Sequence, residues 1–217
     1  GKCVAVCENQ TILYSENGVN WKYIDLDIES ITNKNSNEHE GSKFDLNCVI
    51  WGNNQFVAVG GYWYGEEIIL TSPDGIKWNR VFADLDSELE NVLWDGFNFY
   101  GCGSKGDLIK SSDGVVWNTI YNYNNKDGYI MWYKIKHLGG KYFVLGEDGN
   151  VLISNDAINW NKISTNTNTI VDMVYNGETY LAIDINNTVL NSVDGIDWTQ
   201  KTINIGYSYF TSLKLVN

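Results

Sequence analysis

Carboxylates are the side chains of this 217-residue protein that could do chemistry, since it holds 27 Asp/Glu against two His and a single arginine, Arg80. Four of them recur in one setting: Asp74, Asp113, Asp156 and Asp194 each follow a serine by two residues and precede a tryptophan by four. An Asp or Asn placed after a strand accepts backbone N–H groups two residues on, so these four read as turn residues and not as catalytic acids. Glu90 and Asp172 stand at neighbouring positions of a repeated strand. Glycoside hydrolysis needs two carboxyl groups about 5–9.5 Å apart. These two lie two repeats from each other, so they read as solvated or salt-bridged acids, and hydrolysis ranks behind binding.

The remaining inventory excludes other chemistries. His39 lies between Glu38 and Glu40 in a polar insert, and His137 takes the position held by Trp51, Trp94 and Tyr175 in other repeats, where a packed ring is expected. Neither has a Ser or Cys partner for nucleophilic catalysis. Asn125-x-Asp127-Gly128 partly matches a calcium loop, but Tyr123 stands at the preceding ligand position and no downstream Glu fits. Cys3, Cys7, Cys48 and Cys102 form no C-x-x-C pair, so no zinc site is expected. Cys3 and Cys7 would sit ~13 Å apart on one extended strand and cannot bond each other. Cys7 with Cys48 is the pair to test; free thiols are the simpler expectation. No catalytic residue, metal or cofactor is assigned.

The elements that would position any site come from a repeat. Ser15–Trp21, Ser72–Trp78, Ser111–Trp117, Ser154–Trp160 and Ser192–Trp198 share Ser, then Asp or Asn, usually Gly, then Trp. Each copy is preceded by short runs rich in β-branched and aromatic residues, broken by Gly-Asn, Asp-Gly, Gly-Gly or Asn-Gly, which read as hairpins. One such unit cannot bury its own apolar face and must stack on its neighbours. Four antiparallel strands per unit, A to D, make a propeller blade. The protein therefore reads as an all-β, five-bladed β-propeller. Residues 211–217 are expected to supply the A strand of a first blade whose other strands lie in 1–26, closing the ring and removing two exposed sheet edges. An insert, 27–46, follows that blade; blades 2 to 5 span 47–88, 89–132, 133–170 and 171–210.

The motif resembles the Asp-box, or BNR-type, repeat of sialidase-like β-propellers, one residue tighter than its fuller Ser-x-Asp-x-Gly-x-x-Trp form. Asn17 replaces Asp in the first copy and Ala157 replaces Gly in the fourth. The resemblance implies a structural role for Ser15, Ser72, Ser111, Ser154 and Ser192, for the four aspartates, and for Trp21, Trp78, Trp117, Trp160 and Trp198. Sialidase activity is not implied, because such sites use an arginine cluster and this protein has only Arg80.

Composition narrows the partners. A net charge of −12 argues against nucleic-acid backbones, and no apolar run approaches the ~20 residues that would cross a bilayer as a helix. Departures between repeats fall on the end formed by the B–C and D–A loops: Tyr62, Trp63 and Tyr64, then Tyr129 and Trp132, then Tyr207 and Tyr209. Tyr and Trp present flat apolar faces with one polar handle, suited to stacking on sugars or gripping a peptide. The leading expectation is a non-catalytic glycan-binding module, with a protein–protein scaffold as the alternative on the same residues; bracing of the loops by these rings is the structural reading. A monomeric module of a longer protein is expected, extracellular or on a cell surface.

Overall fold

The computed structural model describes the whole protein except residues 27–42, 63–64, 86, 124–128, 207–208 and 217. Its contacts divide it into two compact units, Gly1–Asn122 and Tyr123–Asn217. The first unit holds three antiparallel sheets. Sheet 1 is β1 (Cys3–Cys7), β2 (Thr11–Ser15) and β3 (Lys22–Ile24); sheet 2 is β4 (Asp45–Gly52), β5 (Gln55–Gly61), β6 (Glu67–Ser72) and β7 (Asn79–Val81). Sheet 3 is β8 (Leu89–Trp94), β9 (Phe99–Gly103), β10 (Leu108–Ser111) and β11 (Asn118–Tyr121). The second unit holds sheet 4, with β12 (Trp132–Leu138), β13 (Lys141–Gly146), β14 (Asn150–Ser154) and β15 (Asn161–Ser164), and sheet 5, with β16 (Ile170–Tyr175), β17 (Tyr180–Asp184), β18 (Thr188–Ser192) and β19 (Thr199–Thr202). Each sheet is a meander in sequence order.

Sequence alternation sets which face meets which neighbour, because successive side chains of a strand point to opposite faces. Along β5, Phe56 and Ala58 join a core with Ile12, Tyr14 and Leu70, while Val57 and Val59 join a separate core with Leu89, Phe99 and Ile109. Sheets 4 and 5 share a third core around Phe143, Leu145, Met173 and Leu190. The second and third strands of a sheet are thus buried on both faces, as β6 and β9 are throughout, whereas the outer β19 is exposed along its length. Each large aliphatic residue so buried contributes about 1.5–3 kcal/mol.

The ends and the cysteines bear on two expectations, a strand at 211–217 and free thiols. Among the described residues sheet 1 has three strands, residues 211–216 form no strand, and the Leu213 N–H donates to Asp172 Oδ2 at 2.9 Å. All four cysteines are free: Cys7 is exposed, and the Cys48 thiol points to the Val92 carbonyl and accepts from Asn91 Nδ2.

Every motif copy forms the same turn. The Oδ1 of Asn17, Asp74, Asp113, Asp156 or Asp194 accepts two N–H bonds, from the residues two and three places on, at 2.8–3.0 Å. The serine hydroxyl donates to that same oxygen and, in four copies, accepts from the glycine N–H at 2.8–2.9 Å. The tryptophan Nε1–H closes the turn on the glycine carbonyl at 3.1–3.2 Å in those four. In the fourth copy Ala157 takes the glycine's place at φ 55°, and Trp160 Nε1 is buried without a partner. Trp78 and Trp117 are buried, but Trp21 of the first copy is 43% exposed.

Gly195 shows what the turn demands. Its φ is +77°, and a Cβ there would meet the Phe143 ring at 2.7 Å. Gly177, in the hairpin between β16 and β17, has φ +99° and open space around it. We expect Gly195→Ala to cost about 2–4 kcal/mol, the left-handed penalty plus a core clash, against about 1 kcal/mol for Gly177→Ala. Urea denaturation of both variants checks the order.

Candidate functional site

The first strands of sheets 2 to 5 share a defect. Pairing with the second strand slips by one residue at Asn47 in β4, Glu90 in β8, Tyr133 in β12 and Val171 in β16. These bulges put one extra residue on the first strand and re-aim its side chain, a device frequent beside binding and catalytic sites. The side chains so aimed are engaged with the protein itself. Asn47 Nδ2 donates to the Leu89 carbonyl at 3.0 Å, and Tyr133 Oη donates to Glu147 at 3.2 Å.

The two carboxylates singled out by sequence have opposite environments. Asp172 is 4% exposed and forms ion pairs with Lys136 and Lys134, while its oxygens accept the N–H groups of Met173 and Leu213 at 2.9 Å. Burial pushes this carboxyl up, but the Lys136 hydrogen bond, the Leu213 N–H and the two lysine charges outweigh it and hold the group below the usual range. A carboxylate so held is a poor proton donor and serves to tie Leu213 and two lysines to β16. Glu90 is pushed up to about 7, first by burial and then by the hydrogen bond and charge of Glu88. Burial and the neighbouring acid thus both favour the protonated form of Glu90.

The aromatic residues selected from sequence divide sharply. Trp63, Tyr64 and Tyr207 lie outside the described residues. Tyr62 is buried, edge-on to Phe44. Trp132 is fully buried, with its Nε1 unpartnered, and its ring packs where a Cβ at Gly146 would be. These two are packed into the core, Tyr62 just beyond β5 and Trp132 at the start of β12, and offer no face to a ligand. Tyr129 and Tyr209, both in the second unit, are 81% and 69% exposed. His137 stacks on Tyr142 with ring centres 4.3 Å apart but is exposed; His39 and the Asn125–Gly128 segment lie outside the described residues.

Sequence reasoning missed another set. The residue after the turn glycine or Ala157 is Val19, Ile76, Val115, Ile158 or Ile196, aliphatic and β-branched in all five copies, and between 46% and 77% exposed. Its backbone N–H is one of the two bound by the Asp or Asn. Val116 and Phe97 of sheet 3 and Trp51 of sheet 2 are further exposed apolar side chains in this unit. Within the first unit the turns are seated on the preceding sheet: Gly75 against Val4 and Tyr14, Gly114 against Gln55 and Val57. Asn53 Nδ2 and Gln55 Nε2 donate to the Ser112 and Asp113 carbonyls. The available signal was a single column of the repeat holding Val or Ile every time where nothing in the turn requires it.

No family model matches the protein, and no curated protein matches it. Solved structures do match. YCF48 from Cyanidioschyzon merolae is 14% identical, over 92% of this protein and 69% of its own length, with a TM-score of 0.61. The computationally designed Ika8 protein is 10% identical, over 99% and 64%, also at 0.61. One component of a nidogen/laminin complex is 9% identical, over 90% and 73%, at 0.57. The protein has the β-propeller fold. At these identities the likeness is one of fold, carried by five successive antiparallel meanders.

The propeller's carboxylates give it two opposed pH responses. Asp74, Asp113, Asp156 and Asp194 are held below the ordinary carboxylate range, foremost by the backbone N–H bonds of the turn. Their contribution to stability is present above about pH 4 and is lost as pH falls through their folded values. Glu90 has the reverse sign: its contribution is present below about pH 4.3 and is lost as pH rises towards 7. We expect Glu90→Gln to raise stability by about 1–2 kcal/mol at pH 8, solvent screening allowed for, and to change it little at pH 4. Urea midpoints at the two pH values measure this.

Proposed function

We propose that this propeller is a non-catalytic protein-recognition module, of the Asp-box kind, and that in its first unit the ends of the motif turns form the contact surface. The observation that carries this is the exposed Val or Ile held on a hydrogen-bonded backbone in every copy. An apolar side chain whose backbone is already ordered loses little entropy on binding, which is the preorganisation that protein interfaces exploit. Exposed aliphatic groups suit the apolar centre of a protein contact better than a sugar, which prefers flat rings. The nidogen/laminin neighbour, an assembly between proteins, supports the same reading at the level of fold.

Glycan binding rested on the aromatic residues, and of those described only Tyr129 and Tyr209 are exposed. The two readings separate in one experiment. Immobilised wild-type protein, the Val115→Ser/Val116→Ser variant and the Tyr129→Ala/Tyr209→Ala variant are offered proteins of the parent cell and a glycan array. We expect a protein partner whose affinity falls at least tenfold in the valine variant, with folding stability changed by no more than about 0.5 kcal/mol because both side chains are exposed. Saturable glycan binding abolished by the tyrosine variant, with no valine-dependent partner, would overturn the proposal.

A further inference from the structure

The sequence has two Asn–Gly pairs, Asn17–Gly18 in the first motif turn and Asn176–Gly177 in the turn joining β16 to β17. Such a pair can modify itself. The glycine nitrogen, on losing its proton, attacks the asparagine Cγ; a new bond forms between them, the bond from Cγ to Nδ2 breaks, and ammonia leaves with the proton. Water then opens the cyclic imide at either carbonyl, giving Asp or isoAsp. Water is the only co-reactant.

We propose that Asn176–Gly177 is a spontaneous deamidation site of the folded protein and that the motif turn protects Asn17–Gly18. The difference lies in the attacking nitrogen. The Gly18 N–H donates to Ser15 Oγ at 2.9 Å, and Ser15 is 1% exposed, so the nitrogen is bound inside the turn. The Gly177 N–H donates to no group among the described residues, and no atom lies within 4 Å of a Cβ built at Gly177. The electrophiles do not discriminate. Asn17 Oδ1 accepts from Val19 and Asn20 at 2.9 Å, and Asn176 Oδ1 accepts from Glu178 and Thr179 at 2.9 and 2.7 Å. Ser15 Oγ–H adds a further bond to Asn17 Oδ1 at 3.2 Å, so the discrimination rests on the bound Gly18 N–H and not on the carbonyl.

The products have unequal consequences. Asp at 176 retains both N–H bonds, now charge-assisted. IsoAsp inserts a methylene into the backbone and undoes the Asn176 N–H to Thr179 carbonyl bond of 3.1 Å that closes the hairpin. Asp at 17 would be the residue that the other four turns already carry, so the protected pair is also the one whose Asp product fits the fold.

The test is incubation of the intact folded protein in mildly alkaline buffer, with each Asn–Gly peptide followed by mass spectrometry and Asp separated from isoAsp by chromatography. The same series is run in concentrated urea. We expect Asn176 to convert several-fold faster than Asn17 in the folded protein and at a similar rate in urea. Ser15→Ala should raise conversion at Asn17 relative to Asn176, while Ser15→Thr, which keeps the hydroxyl, should leave the ratio near that of wild type. Asn17 keeping pace with Asn176 in the folded wild type would overturn the proposal, and that comparison needs no variant to fold. So would a folded Ser15→Ala protein with an unchanged ratio, or an Asn176 that does not convert.

Discussion

One oxygen per repeat governs this molecule. The Oδ1 that accepts two successive N–H bonds in each motif turn also receives the serine hydroxyl, so a single acceptor directs the backbone from the third strand into the fourth. Around it the glycine is free to take positive φ and to sit against the sheet before, and the indole N–H finds the glycine carbonyl. The fourth copy isolates the glycine's share. With Ala157 in its place the oxygen keeps its two N–H bonds, yet the indole of Trp160 goes without its acceptor. The acceptor orders the turn, and the glycine lets the tryptophan join it.

Because these bonds consume the polar groups of the turn, the side chain that follows the glycine has no structural duty. An exposed aliphatic group costs solubility at such a place, and a polar residue would serve the turn equally well. Its recurrence in every copy therefore bears on what lies outside the molecule. The inner strands show the opposite economy: their bulges aim Asn47, Tyr133 and Glu90 at protein groups, and Asp172 is shared among two lysines and two backbone N–H groups. Charge is distributed just as unevenly. Residues 1–122 carry 18 of the 27 acidic side chains but only 8 of the 15 basic ones, and among them Glu90 is pushed up first by burial and then by Glu88.

Much of the fold was legible in the sequence itself. Motif spacing marked the turns, and hairpin residues between β-branched runs marked the strands, because both are local consequences of backbone geometry. The candidate site was far less legible. Tyr62 and Trp132 looked like loop aromatics, but each lies at a strand margin where a one-residue change of register turns a ring from solvent to core. Trp21 carries the same motif as Trp78 and is nonetheless 43% exposed, since sheet 1 gives it less cover. The end of the protein was less legible: residues 211–216 form no strand, and the Asp172 carboxylate takes the Leu213 N–H, a contact invisible in a pattern of apolar residues.

By itself the sequence determined the order of hairpins, the five turns and their internal bonding, all set by residues within a few positions of each other. Tertiary structure alone decided which aromatic rings are covered, which carboxylate is paired with lysine and which is pushed up by burial, and where apolar groups meet water. Those outcomes depend on neighbours far along the sequence, and burial and charge are properties of the assembled surroundings that no local pattern carries.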